Sequence, residues 1–262
     1  VTPRERADRL LVARGLFETR AQAQSAIAAG LVMADGRPVA KASDLLAPDA
    51  ALAATPPHPW VSRGGVKLAA ALDTFGVDPK GRVCLDIGAS TGGFTDVLIA
   101  RGAEQVIAVD VGTAQMHPRL AGHPRVRLLE RTDARDLASI AFDEPPSLLV
   151  ADVAFVSLLK VTGPALACLA PGADMIALIK PQFEVGRANV GKGGRVAEAD
   201  ALAARDRVVS ALAQNFGLGV RGVIDSPIAG GDGNREYLVH ARLAQSSVSV
   251  PAMVMPKPSS PT

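Results

Sequence analysis

One stretch constrains this chain more than any other: Val83-Cys84-Leu85-Asp86-Ile87-Gly88-Ala89-Ser90-Thr91-Gly92-Gly93-Phe94. A short apolar run closes on Asp-Ile-Gly, crosses small residues and reopens as Gly-Gly-Phe-Thr-Asp-Val-Leu. That is the pattern of a buried strand, a tight glycine turn and a helix start. Glycine in such a turn lets backbone approach a ligand closely, and the helix N-terminus offers unpaired N–H groups. A dinucleotide fingerprint would need Gly-x-Gly-x-x-Gly. Here the residue two after Gly88 is Ser90, and Gly92 and Gly93 are adjacent. The departure disfavours a pyrophosphate as the ligand of the turn.

A length of 262 residues suits one medium domain with a small one beside it. With 28 basic against 26 acidic residues, any nucleic-acid site must be a local patch. Cys84 and Cys168 both lie in apolar surroundings, so they read as core residues and imply neither a disulfide framework nor a zinc site. No apolar run is long enough to span a bilayer, and the basic, polar start is no signal peptide. The expectation is a cytoplasmic protein with no membrane partner and no metal.

The chain divides into four segments. Residues 1–54 carry two helical patterns, Arg6 to Ala13 and Arg20 to Ala29, with Gly15 and Gly30 near their ends. A hairpin signal follows, in which Leu31-Val32-Met33 and Val39 flank Ala34-Asp35-Gly36-Arg37-Pro38. Residues 55–60, Thr-Pro-Pro-His-Pro-Trp, form a semi-rigid linker. Trp60 is expected to pack between the flanking domains. Residues 61–244 alternate strands and helices: helix Val66–Phe75, strand Arg82–Ile87, helix Phe94–Ala100, strands Val106–Asp110, Val126–Leu129 and Leu148–Asp152. Then come helix Phe155–Leu169, strand Met175–Lys180, helix Ala197–Phe216 and a closing hairpin of Leu218–Asp225 with Glu236–Leu243. Repeated βα units imply a Rossmann-like α/β fold with a mostly parallel, doubly wound sheet. Residues 245–262, rich in Ser and Pro, read as a disordered tail.

In open α/β sheets ligands bind beyond the carboxyl ends of the strands, and acids stand at three such ends. Asp86 closes the first strand, Asp110 the second, and Asp133, in Arg131-Thr132-Asp133-Ala134, follows the third. An acid at the Asp110 position can accept both hydroxyls of a ribose. A rival motif, Gly186-Arg187-Ala188-Asn189-Val190-Gly191-Lys192, begins like a P-loop, but Gly193 stands where a Mg²⁺-binding Ser or Thr is required. The segment reads better as a basic loop that meets RNA phosphates through Arg187, Lys192 and Arg195.

The glycine turn resembles the first motif of S-adenosylmethionine (AdoMet) methyltransferases, in which the final strand runs antiparallel. The resemblance implies that the methionine end of AdoMet is wrapped by Asp86, Gly88, Ala89, Ser90, Gly92, Gly93 and Phe94. It also implies that Asp110 holds the ribose and that Asp133 and Ala134 meet the adenine. The run Arg9-Leu10-Leu11-Val12-x-Arg14-Gly15-Leu16, continued by Arg20, Ala23, Ile27, Gly30 and Val32, resembles the S4 RNA-binding domain. It departs at Ala34-Asp35-Gly36 and at Thr19. In S4 modules a helix pair presents basic side chains to phosphates, here Arg4, Arg6, Arg9, Arg14 and Arg20, which would position RNA without reading its sequence.

The acceptor is narrowed by what is missing. Base C5 chemistry needs a loop cysteine. Amino-group methylation typically uses an Asn/Asp-Pro-Pro-Tyr/Phe loop, and Asp152-Val153-Ala154-Phe155 stands in its place. A hydroxyl needs help in losing its proton. Lys67 in Ser62-Arg63-Gly64-Gly65-Val66-Lys67-Leu68, Asp152, Lys180 in Ile179-Lys180-Pro181-Gln182-Phe183-Glu184, and Glu236 in Asn234-Arg235-Glu236-Tyr237 can supply it. This Lys-Asp-Lys-Glu set resembles the tetrad of FtsJ-like ribose 2′-O-methyltransferases. The whole order, S4 module included, is similar to the TlyA-type (hemolysin A-like) rRNA methyltransferases. The resemblance implies AdoMet as cofactor and the 2′-hydroxyl of cytidine in 16S or 23S ribosomal RNA, within ribosomal subunits, as acceptor. Arg63 joins the expected RNA contacts. Lys180 would orient the hydroxyl and take its proton, Asp152 would stabilise the resulting cation, and Glu236 would fix Lys67 or the ribose. Two other readings are a non-catalytic ribosome-assembly factor and a cytolysin. An intact turn and tetrad argue against the first, and the lack of amphipathic or spanning segments against the second.

Overall fold

The computed structural model describes residues 3–245, so nearly all of the expected tail lies outside the described residues. The N-terminal module is built from β1 (Glu5–Arg6), α1 (Ala7–Ala13), α2 (Arg20–Ala28), β2 (Val32–Ala34), β3 (Arg37–Pro38), β4 (Leu45–Leu46) and β5 (Leu52–Ala54). A capping box starts α2: the Thr19 hydroxyl accepts from the Gln22 amide while the Gln22 side chain accepts from the Thr19 amide. Leu11, Phe17, Ala23, Ile27 and Val32 make the module's own core. The expected hairpin is the β2–β3 pair. Strands β1, β4 and β5 were not read from the sequence, because pieces of two or three residues are too short to show periodicity.

The larger unit runs α3 (Gly64–Phe75), β6 (Val83–Ile87), α4 (Gly93–Ala100), β7 (Gln105–Val109), α5 (Pro118–Ala121), β8 (Val126–Leu129) and β9 (Leu148–Ala151). It continues with α6 (Leu158–Leu166), β10 (Asp174–Ile179), α7 (Pro181–Glu184), α8 (Glu198–Phe216), β11 (Gly219–Asp225) and β12 (Tyr237–Arg242). Seven strands form one sheet in the order β11-β12-β10-β9-β6-β7-β8. Strand β12 runs antiparallel to both β10 and β11, and the pairs from β10 to β8 are parallel. The fold class is therefore the expected one, a Rossmann-like methyltransferase sheet with a small S4 domain in front of it.

Both faces of the sheet are buried, as a doubly wound sheet requires. Leu85, Ile87, Leu149 and Ile179 lie on the face where Val161 and Leu212, from α6 and α8, pack. Cys84, Leu148, Ile176 and Leu238 lie on the opposite face with Leu68 and Leu72 of α3 and Val97 of α4. The strand order reverses at β6, which has β7 on one side and β9 on the other. A crevice opens beyond the carboxyl ends of β6 and β9 at such a switch point. Gly88 and Asp152 stand at those two ends.

One expected element is corrected. The helix read as Phe155–Leu169 begins at Leu158, where the Ser157 hydroxyl caps it, and ends at Leu166. Phe155 is not helical: it has φ +64° and is 93% exposed. Apolar periodicity could not separate an aromatic held out at a strand end from the first residue of the next helix. The Trp60 indole packs where Gly65 has no side chain, a Cβ there falling 2.4 Å from its ring, and it joins the core under α3. Beside it the two domains meet through a hydrogen bond between the His117 ring Nε2 and the Glu18 carboxylate (2.5 Å) and one from the Gln22 side-chain amide to the Val61 carbonyl.

Candidate active site

The glycine turn is a backbone cradle. Gly88 has φ +79° and Gly92 φ +93°, values that an L side chain rarely adopts. At Gly88 a Cβ would stand 2.4 Å from the Asp152 carbonyl oxygen, and at Gly92 it would stand 2.5 Å from both Met116 and Leu120. No larger residue fits either place without moving backbone or core. Ser90 between them is also left-handed, φ +46°. Its amide donates to Asp110 Oδ2 (2.7 Å), and the Gly112 amide donates to Asp110 Oδ1 (2.7 Å). Asp110 thus braces the turn and remains half-exposed beside it, with lone pairs left for further donors.

Asp86 is fully buried on the α3–α4 face, and Thr95 donates to its Oδ2 (2.6 Å). Its Oδ1 is buried without a hydrogen-bond partner. Burial pushes its carboxyl up to about 7, and the neighbouring charges of Asp152 and Asp110 push the same way. Three carboxylates therefore gather around one turn, and one of them resists ionising. Of the three, Asp110 accepts only from backbone amides, so its charge has no cation among its hydrogen-bond partners.

The four expected catalytic residues come together as two ion pairs. Lys67, in the first turns of α3, reaches Glu236, the residue just before β12, and both side chains are buried. Lys180 Nζ lies 2.5 Å from Asp152 Oδ1, where the adjacent parallel strands β10 and β9 end. Lys67 and Asp152 line a cavity of ≈ 240 Å³ together with Ser62, Arg63, Gly64 and Gly88–Thr91. The glycine turn and two of the four residues, Lys67 and Asp152, thus line one space, each held there by its ion-pair partner. It is tight: a Cβ on Gly93 would meet the Ser62 hydroxyl at 2.2 Å.

Other expected residues are placed differently. Ala134 is buried, and Asp133 caps the short helical turn that follows it, both of its oxygens being held by the Arg135 side chain. This draws the Asp133 carboxyl down to about 2, and an adenine amine would have to share it with that guanidinium. In the S4 module Arg6 and Arg20 both pair with the buried Asp8, and Arg14 donates to the Pro48 carbonyl. These three arginines brace the module, whereas Arg4 and Arg9 are exposed. Arg187, Lys192 and Arg195 are exposed on the loop after α7, and Arg63 lies beside Gly231 on the same rim.

Sequence reasoning missed several residues of this site. Thr95 holds Asp86, and its only signal was one helical turn's separation from the glycine turn. Glu184 accepts from the Ser157 hydroxyl (2.7 Å) and the Leu158 amide (2.8 Å), tying the segment after Lys180 to the one after Asp152. Phe155 and Phe183 meet at a tilt, ring centroids 5.4 Å apart, on those same two segments, which puts an exposed aromatic three residues beyond Asp152.

A Rossmann-like sheet with this turn, this pair of ion pairs and an S4 module in front defines a class of methyltransferase. The chain belongs to the FtsJ-like methyltransferase family, whose model matches residues 60–243, and residues 5–52 match the S4 domain. It is 44% identical to the 16S/23S rRNA (cytidine-2'-O)-methyltransferase TlyA of Mycobacterium tuberculosis, over 91% of this chain and 90% of that protein. It is 38% identical to Hemolysin A of Brachyspira hyodysenteriae, over 90% and 98% of the two chains. A solved structure from Streptococcus thermophilus with a provisional hemolysin name superposes with a TM-score of 0.72 at 39% identity, covering 94% of this chain and 90% of that one. Among the described residues no helix is long and apolar enough to cross a membrane.

Proposed function

We propose that this protein transfers a methyl group from AdoMet to a ribose 2′-hydroxyl, that of a cytidine in 16S or 23S ribosomal RNA. The observation that carries the reading is the pairing of Lys180 with Asp152 at the mouth of the cavity that the glycine turn lines. The residues fit the cofactor. Gly88 and Gly92 leave room for its backbone contacts, Asp110 has capacity for its ribose hydroxyls, and Asp86, buried with one oxygen unpartnered, gains from a ligand that brings positive charge near it. Bound there, AdoMet supplies an electrophilic methyl.

The chain's own residues prepare the acceptor. Lys180 and Asp152 hold the 2′-oxygen, and Lys180, having first lost its ammonium proton to solvent, takes the hydroxyl proton as the oxygen–carbon bond forms and the sulfur–carbon bond breaks. Asp152 stabilises positive charge on the Lys180 side chain once the proton has moved. Glu236 fixes Lys67 at the cavity wall. Holding oxygen and methyl in line supplies a large part of the acceleration, and the proton transfer a factor of about 10²–10⁴. Phe155, projecting into solvent three residues beyond Asp152, offers a face on which a base can stack. The S4 module, through Arg4 and Arg9, and the rim cations Arg63, Arg187, Lys192 and Arg195 carry the phosphate contacts. An enzyme of this kind works in the cytoplasm, where ribosomal subunits are.

The test is incubation with methyl-labelled AdoMet and separated ribosomal subunits, followed by nucleoside analysis. The expected product is 2′-O-methylcytidine. Lys180→Ala should keep AdoMet and RNA binding while losing about 10²–10⁴ in rate. A methyl found on a base refutes the hydroxyl chemistry, and a Lys180→Ala protein of normal rate refutes the assignment of the base. RNA binding with no methyl incorporated would favour an assembly factor.

A further inference from the structure

We propose that Asn234 is a positioning residue that couples the basic loop after α7 to the Lys67–Glu236 pair; this rests on the RNA-methyltransferase reading above. Asn234 is 4% exposed, on the approach to β12. Its Oδ1 accepts from the Val196 amide (2.9 Å) and its Nδ2 donates to the Gly194 carbonyl (2.7 Å). One side-chain amide thus stands in for a partner strand, pinning backbone some forty residues earlier in the chain.

The pinned segment is the one that carries Arg187, Lys192 and Arg195. Its other hydrogen bonds are local turns of the segment itself, among them the Gly191 amide to the Arg195 carbonyl and the Asn189 side chain to the Val185 carbonyl, while Gly186, Gly193 and Gly194 have positive φ and Arg187, Lys192 and Arg195 all face solvent. The Arg195 guanidinium lies against Gly233, where a Cβ would fall 2.7 Å from it.

Asn234 is two residues from Glu236, and the turn between β11 and β12 is folded onto that carboxylate. The Ser226 amide donates to the Glu236 carbonyl, and the Gly230 amide donates to the Asn234 carbonyl. A Cβ on Gly230 would stand 2.6 Å from Glu236 Oε1. Gln182, two residues past Lys180, reaches Asp232 in the same turn (3.1 Å). Any displacement of the loop by a bound phosphate therefore reaches Glu236 through Asn234, and a loop held by Asn234 presents its cations in register with the ion pair. Coupling of this kind needs a shared network of contacts, and residues that share one are non-additive when substituted.

The experiment is a double-mutant cycle read in kcat and KM for ribosomal subunits, with AdoMet affinity and melting temperature measured alongside. Its members are Asn234→Ala, the loop variant Arg187→Ala/Lys192→Ala/Arg195→Ala, and their combination. Asn234→Ala loses two hydrogen bonds and is expected to cost about tenfold in kcat/KM, with a fall in kcat as well as a rise in KM. In the combined variant the loss should stay within about twofold of the worse single one. Asn234→Asp keeps the acceptor for Val196 but turns an oxygen toward the Gly194 carbonyl, so it should be no better than alanine. Multiplying losses overturn the proposal, as does an unchanged kcat in Asn234→Ala or full activity in Asn234→Asp. If Asn234 only stabilised the fold, melting temperature would fall and the cycle would be additive. A wild-type protein that methylates no ribose fails the underlying reading instead, which separates the two failures.

Discussion

Asp86 makes the cofactor site sensitive to pH in a direction that can be worked out. Its carboxyl is raised from 3.8 to about 7, first by burial and then by Asp152 and Asp110. The folded, ligand-free protein therefore prefers Asp86 protonated. The resulting stabilisation is full below pH 4 and is lost as the pH rises through about 7. A shift of about three units corresponds to about 4 kcal/mol at most, or roughly 10 °C in melting temperature for a chain of this size. A ligand that brings an ammonium and a sulfonium binds the ionised form. Lowering the pH from 7 to 5.5 should then weaken AdoMet on the order of tenfold, since the proton must leave first. Calorimetric titration over that range tests this below the pH at which the ligand's own amino group titrates. 5′-Methylthioadenosine, which lacks the amino acid part, should show no such slope. Asp86→Asn should bind AdoMet weakly at every pH, and its melting temperature should fall less between pH 5 and 8 than that of the wild type. Equal slopes for the two ligands, or parallel melting profiles for the two proteins, would refute the reasoning.

Two further outcomes follow from the same geometry. Gly88→Ala places a Cβ 2.4 Å from the Asp152 carbonyl at φ +79°; denaturant titration should show a loss of about 2–4 kcal/mol, with AdoMet binding lost. Glu184→Ala removes the acceptor shared by the Ser157 hydroxyl and the Leu158 amide, which should cost about 1–3 kcal/mol. Because that carboxylate ties the segments bearing Asp152 and Lys180 together, kcat should fall while AdoMet affinity holds.

Much of the candidate site is legible in the sequence because its signals are local. A strand that ends in Asp-Ile-Gly and a helix that opens on Gly-Gly-Phe need only neighbours in the chain to be recognised, and β6, α4 and the turn between them lie where the pattern put them. The acids at strand ends could be placed for the same reason, since a parallel sheet brings all its carboxyl ends to one rim. Phe155 departs from the expected helix because exposure is not a property of local pattern. Arg6 and Arg20 read as phosphate contacts, and only the fold brings them onto the buried Asp8.

Residues read along the chain are enough for the class of fold, the glycine turn and the four charged side chains proposed to serve the acceptor. What the sequence could not contain were pairings across long separations: Lys67 with Glu236, Lys180 with Asp152, Glu184 with Ser157, and Asn234 with the backbone at Gly194 and Val196. Each joins groups that carry no mutual signal along the chain. They meet only when β10, β9 and β12 are laid side by side. The elevated carboxyl of Asp86 has the same origin, because burial and the approach of Asp110 and Asp152 arise from packing. Local chemistry named the groups, and the sheet decided which charge each one answers.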